Sequence, residues 1–111
     1  MGTRRQQLSS IPEVIAGLSG PWQRQDLVSV NEAVLRLVRL EGEFPWHHHE
    51  EDELFLCWDG GFRIELEGEE AVLVRPGELF VVPAGTRHRP VADARAHALL
   101  LEKPETRQYG N

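Results

Sequence analysis

From Leu27 to Leu101 the chain alternates short apolar segments with glycine and proline turns. The segments are Leu27–Val30, Ala33–Leu40, Phe44–His49, Glu53–Trp58, Phe62–Leu66, Ala71–Val74, Leu79–Val82, His88–Val91 and Ala96–Leu101. Glu41-Gly42, Asp59-Gly60-Gly61, Arg75-Pro76-Gly77 and Pro83-Ala84-Gly85 part several of them. Segments this short cannot build a helical bundle, and turns at this spacing predict an all-β antiparallel sandwich or barrel. One helix precedes them. Ser10 can cap it, Glu13 sits three residues on as in a capping box, and Pro12 suits the first turn. Ile11, Val14, Ile15 and Leu18 then make one apolar face before Gly17 and Gly20-Pro21 end it. A helix so short is unstable alone in water, so it must dock.

The chain has 111 residues, enough for one domain with one core. The expected organisation is a flexible N-terminal arm over 1–10, one β domain over 11–102, and a polar C-terminal tail over 103–111. The net charge of -6, with no basic stripe, argues against nucleic acid as a partner. No apolar run approaches the roughly 18 residues of a membrane helix, and Met1–Ser10 lacks the apolar core of a secretory signal. A single cysteine, Cys57, excludes an intrachain disulfide and suits a reducing, cytoplasmic location.

The chemistry-bearing residues gather in two places, His47-His48-His49 with Glu53, and His88. On a strand, alternate side chains share a face, so His47 and His49 point one way and His48 the other. Glu53 opens the next segment, so two neighbouring strands could unite two imidazoles and a carboxylate. His88 would arrive from a distant segment. Read alone, the run also suits a solvated acidic loop. An engineered tag fits poorly with a mid-chain position between apolar segments.

Taken together, the two places resemble the cupin superfamily. Its first motif is matched by His47-x-His49-x3-Glu53-x6-Gly60, with Gly42 one residue closer to His47 than usual. Its second is matched by Gly77-x5-Pro83-x-Gly85-x2-His88, with Ala92 in place of the closing Asn. Neither departure falls on a ligand position of the family pattern. The resemblance implies a small jelly-roll β-barrel holding a metal on His47, His49, Glu53 and His88. Three imidazoles and one carboxylate suit a divalent transition metal (Fe, Mn, Ni, Cu or Zn) better than Mg or Ca. Such a shell carries a charge of about +1 and favours an anionic ligand at an open coordination position.

Parity extends the reading. If Glu53 faces inward, so do Phe55 and Cys57, and cross-strand pairing adds Phe62, Ile64 and Leu66, with Phe80 and Val82 from the second motif. Cys57 lies roughly 13 Å along the strand from Glu53, too far to share its metal, and reads as a packing thiol. Trp22 and Phe44 read as core, and Tyr109 has no assigned role. Trp46, Leu54, Leu56 and Trp58 face outward, an apolar stripe that the helix or a second copy must cover; a homodimer is expected. Arg36, Arg39, Arg87 and Arg89 could each reach a cavity mouth, although exposed solubilising charge is the simpler reading. The functional expectation is a metal-binding cupin acting as a dioxygenase, isomerase or lyase on a small anionic organic molecule. The alternative is a non-catalytic module that binds or senses a small molecule around a structural metal. A seed-storage-like cupin ranks last, because such proteins lose the ligands that this chain keeps. No helix-turn-helix accompanies the domain, which disfavours a one-chain transcription regulator.

Overall fold

Alternation becomes strand over about half of the chain in the computed structural model, which describes residues 6–111. The helix α1 spans Ile11–Gly17. The strands are β1 (Arg24–Val30), β2 (Ala33–Glu43), β3 (Glu53–Asp59), β4 (Phe62–Leu66), β5 (Val72–Val74), β6 (Leu79–Val82) and β7 (His88–Glu102). Ser10 caps α1 as expected, its Oγ accepting from the Glu13 N–H at 3.4 Å. Of the expected N-terminal arm, residues 1–5 lie outside the described residues. Gln7 and Ser9 hydrogen-bond along β1, at Ser29 and Leu27.

All pairing is antiparallel, in the order β1-β2-β7-β3-β6, with β4 joined to β7 and β5 to β4. Two expectations are corrected. The segments 88–91 and 96–101 belong to one strand, because Asp93, Ala94 and Arg95 bulge outward where the β2–β7 register shifts between Leu40 and Gly42. A bulge lets polar residues meet solvent without ending a strand. Conversely, Phe44–His49 is not a strand. Pro45 offers no N–H to a ladder, and the segment meets β7 through the Phe44 N–H, which donates to the Pro90 carbonyl, and through an isolated bridge from His47 to His88.

β7 serves both halves of the sheet. Its start pairs with β4, and its end runs between β2 and β3. The strands curl around one core in which Leu40, Phe55, Cys57, Ile64, Val74, Val82 and Ala98 are buried. The inward parity expected for β3, β4 and β6 therefore holds. Outside the sheet, α1 lays Ile11, Val14 and Ile15 against a second cluster of Leu18, Leu37, Leu99, Leu35 and Leu56. It leaves Trp58, Leu79, Val81 and Leu101 exposed. No helix among the described residues is long and apolar enough to cross a membrane.

Candidate metal centre

The site forms where the two motifs are pinned together. His47 and His88 exchange backbone hydrogen bonds at 3.0 and 2.9 Å. The Pro83–Gly85 turn then docks on the first motif: the Gly85 N–H donates to the His49 carbonyl at 2.7 Å and the Ala84 N–H to Asp52 Oδ1 at 2.8 Å. Gly85 makes this turn at φ +81°, a conformation that side chains disfavour. The spacing of the second motif thus has a mechanical cause, since this turn delivers His88 to β3.

His47, His49, Glu53 and His88 are all buried, and one ligand atom from each lies within 4.8 Å of the others. His48 is exposed. The His47 Nδ1 faces the Pro45 carbonyl at 2.9 Å, and the His88 Nδ1 faces that of Thr86 at 2.8 Å. A carbonyl can only accept, so each Nδ1 carries the proton and each Nε2 keeps its lone pair. His88 Nε2 lies 3.4 Å from Glu53 Oε1. The Nε2 atoms of His49 and His88 are buried without a hydrogen-bond partner, a costly state for a polar atom.

The electrostatics agree. Burial pushes His47 down to about 4, against the pull of the Pro45 carbonyl and with help from His88 and His48. Burial also brings His49 to about 4, with His47 and His88 adding to it. Burial lowers His88 as well. The imidazoles are therefore neutral at neutral pH, the form that binds metal. Three neutral imidazoles, two of them oriented by backbone carbonyls, and one carboxylate fit a divalent transition cation.

Behind Glu53 stands a charge network that sequence reading missed. Glu102, fully buried, meets the Glu53 carboxyl; burial and that neighbour push it up to about 8. Burial raises Glu53 too, opposed by Glu102, Arg24 and Arg36. Arg36 Nη1 donates to Glu102 Oε1 at 2.8 Å and to the Thr106 carbonyl at 3.3 Å, while its Nε donates to Asp26 and its Nη2 to the Pro104 carbonyl. Parity carried the signal, since a Glu two residues past inward Leu100 must face the core.

Residues 103–111 cross the open end of the sheet. Thr106 is buried, Asn111 donates to the His48 carbonyl at 3.0 Å, and Gln108 Nε2 donates to the Trp22 carbonyl at 2.7 Å. Tyr109 stacks on Phe44 with ring centroids 4.8 Å apart. Beside the His47, His49, Glu53 and His88 cluster lies a small cavity of about 30 Å³, walled by Trp22, Phe44, Phe55 and Leu100, and reached by Arg24, His47, Glu53 and Gln108.

The four arginines considered from sequence lie elsewhere. Arg36 and Arg39 are buried, so neither is an exposed charge. Arg39 donates to His97 Nε2 at 3.2 Å on the α1 side of the sheet, where His97 Nδ1 meets Asp59. Arg87 pairs with Glu67, and Arg89 pairs with Glu65 and Glu43 and lies over the Trp46 ring. Cys57 is buried and its thiol is raised by burial, as a packing residue should be.

A cupin-domain family model matches residues 36–102, a stretch that contains His47, His49, Glu53 and His88. YdbB, an uncharacterised protein of Bacillus subtilis, is 34% identical over 74 residues, a match spanning 66% of either chain and so just under two thirds of that protein. A cupin-2-domain protein of Shewanella frigidimarina superposes with a TM-score of 0.82 at 26% identity, over 86% of this chain and 94% of that one. A protein of Neisseria meningitidis shares the fold with a TM-score of 0.80 at 24% identity, over 87% and 99% of the two chains.

Proposed function

The chain belongs to the cupin-domain family, and on that premise we propose that it is a metal-dependent cupin acting on a small anionic organic molecule, its strands closing as a jelly-roll barrel. The convergence of His47, His49, Glu53 and His88 within 4.8 Å carries this reading. His47, His49, Glu53 and His88 would hold a divalent transition metal, which would supply Lewis-acid or oxygen chemistry when bound. The chain's own residues do the rest. Pro45 and Thr86 fix two imidazoles through their carbonyls, Glu53 supplies the anionic ligand, and Trp22, Phe44 and Phe55 keep the adjacent cavity dry. A dioxygenase, isomerase or lyase is compatible with this set.

A second reading, a non-catalytic binding or sensing module, draws on one observation. Among the described residues, the polar side chains lining the cavity apart from His47 and Glu53 are Arg24 and Gln108, and neither is a general base at neutral pH. Elemental analysis of untagged protein, followed by turnover and oxygen-uptake screens of small acids on the metal-loaded form, separates the two. About one transition metal per chain with turnover supports the enzyme. Full metal with binding and no turnover supports the module. Absence of metal after reconstitution removes both.

We further propose a homodimer built on the outer face of β6-β3-β7. Leu54 pairs with Val81 and Leu101, and Leu56 with Leu79, so the exposed apolar side chains form one continuous patch. A twofold contact closes such a patch without leaving a copy of it open. The buried single thiol fits a cytoplasmic setting.

A further inference from the structure

Arg24, the first residue of β1, is the one arginine or lysine among the described residues that line the cavity. Among the described residues its side chain makes one hydrogen bond, a long one of 3.4 Å to Glu102 Oε1, and Arg36 already holds the same oxygen at 2.8 Å. Arg24 is thus redundant as a partner of Glu102 and keeps other guanidinium donors available to the cavity. Its neighbour Trp22 sits at φ +62°, where a bulky residue is out of place. Two hydrogen bonds hold it there: its N–H donates to the Arg39 carbonyl at 2.7 Å, and its carbonyl accepts from Gln108 at 2.7 Å. Strain of this kind persists where surrounding structure enforces it, and it gathers at ligand sites. Here it sets the indole against Phe44, ring centroids 4.8 Å apart, in the wall beside Arg24.

An apolar wall, one guanidinium and little space select a particular ligand. We propose that the cavity binds a short-chain monocarboxylate, its carboxylate on Arg24 and its hydrocarbon part against Trp22, Phe44 and Phe55. A single cation suits one carboxylate, which a guanidinium can grip with two parallel hydrogen bonds. A cavity of about 30 Å³ limits the apolar part to a few carbons. This deepens the metal-centre reading and rests on it for the second anchor, at His47 and Glu53; the contact with Arg24 needs no metal.

Calorimetric titration of butyrate and of its uncharged analogue butyramide tests it, on metal-loaded and metal-free protein. Butyrate should bind wild type, and Arg24→Gln should weaken it by about 10- to 100-fold. Arg24→Lys should fall between, and butyramide should bind weakly to all three. The metal content of Arg24→Gln should match wild type, which a merely structural Arg24 would not predict. Equal butyrate affinity in Arg24→Gln, equal binding of butyramide and butyrate by wild type, loss of metal from the variant, or no butyrate binding by wild type at roughly 10 mM would each overturn the proposal. Should Arg24→Gln not fold, the acid-against-amide comparison on wild type decides. Wild type that takes up no metal defeats the metal reading alone, and the metal-free titrations then judge Arg24 by itself.

Discussion

Gly110 lies flat against the His48 carbonyl, so close that a β-carbon would collide with that oxygen and crowd the His47 side chain. It also adopts φ +86°. The end of the chain is thereby packed onto the segment that carries His47 and His49.

Gly110→Ala should therefore detach residues 103–111 at a cost of about 1–3 kcal/mol. Hydrogen exchange should show lost protection at Asn111, whose N–H binds His48. Gly17→Ala, at the end of α1 with open space around it, should leave stability level or slightly raised. Equal protection in wild type and Gly110→Ala would contradict this.

Arg36 anchors the same segment from below, through Glu102 and the carbonyls of Pro104 and Thr106. Arg36→Met should cost about 3 kcal/mol, because it strands a buried carboxyl. Arg36→Lys should recover only part, since a single ammonium cannot span that set of acceptors. Urea melts of the three proteins measure the order.

Metal-free protein should lose stability on acidification between pH 6.5 and about 4. His47 and His49 titrate near 4 in the fold against an ordinary 6.5. Within that window the unfolded chain takes up protons that the native chain refuses, so stability rises with pH across it and is fully present above 6.5. Each group contributes a few kcal/mol, at about 1.4 kcal/mol per pH unit. Glu102 acts in the opposite sense. Raised to about 8, it binds a proton more readily in the fold, so stability declines as pH rises from 4.5 through 8. Thermal melts should show both limbs. His49→Gln should flatten the acid limb and Glu102→Gln the alkaline one.

What could be read from sequence and what could not divide along physical lines. Local rules placed α1, most strands, the inward parity of Phe55, Cys57 and Ile64, and the clustering of His47, His49, Glu53 and His88, because each depends on neighbours along the chain or on motif spacing. Glu102, Arg24 and residues 103–111 escaped, because their roles arise from pairings across the sheet. Arg24 lay outside the weak segment read as Leu27–Val30, and β1 extends to it through pairing with Val38. Polar composition suggested a plain tail after Glu102, yet its carbonyls satisfy a buried arginine that composition cannot reveal. Arg36 and Arg39 looked like surface charge for the same reason; each is buried beside partners that sequence distance conceals.

The outer apolar patch predicts oligomerisation. Leu79 is 61% exposed and Trp58 42% in the single chain. Light scattering at tens of micromolar should give twice the chain mass for wild type, and Leu79→Lys with Val81→Lys should give the monomer with little change in fold, since both side chains are exposed already. A monomeric wild type would rule out this contact.

Metal content measured in purified His47→Ala, His48→Ala, His49→Ala, Glu53→Ala and His88→Ala variants tests the shared site most directly. Wild type and His48→Ala should each hold about one transition metal per chain, and the other four should lose most of it, by at least the 10- to 100-fold in affinity that outer-shell partners alone can command. A solvated histidine tract makes adjacent histidines interchangeable and His88 irrelevant. Full metal in His88→Ala, or its loss from His48→Ala, would contradict a centre built from His47, His49, Glu53 and His88.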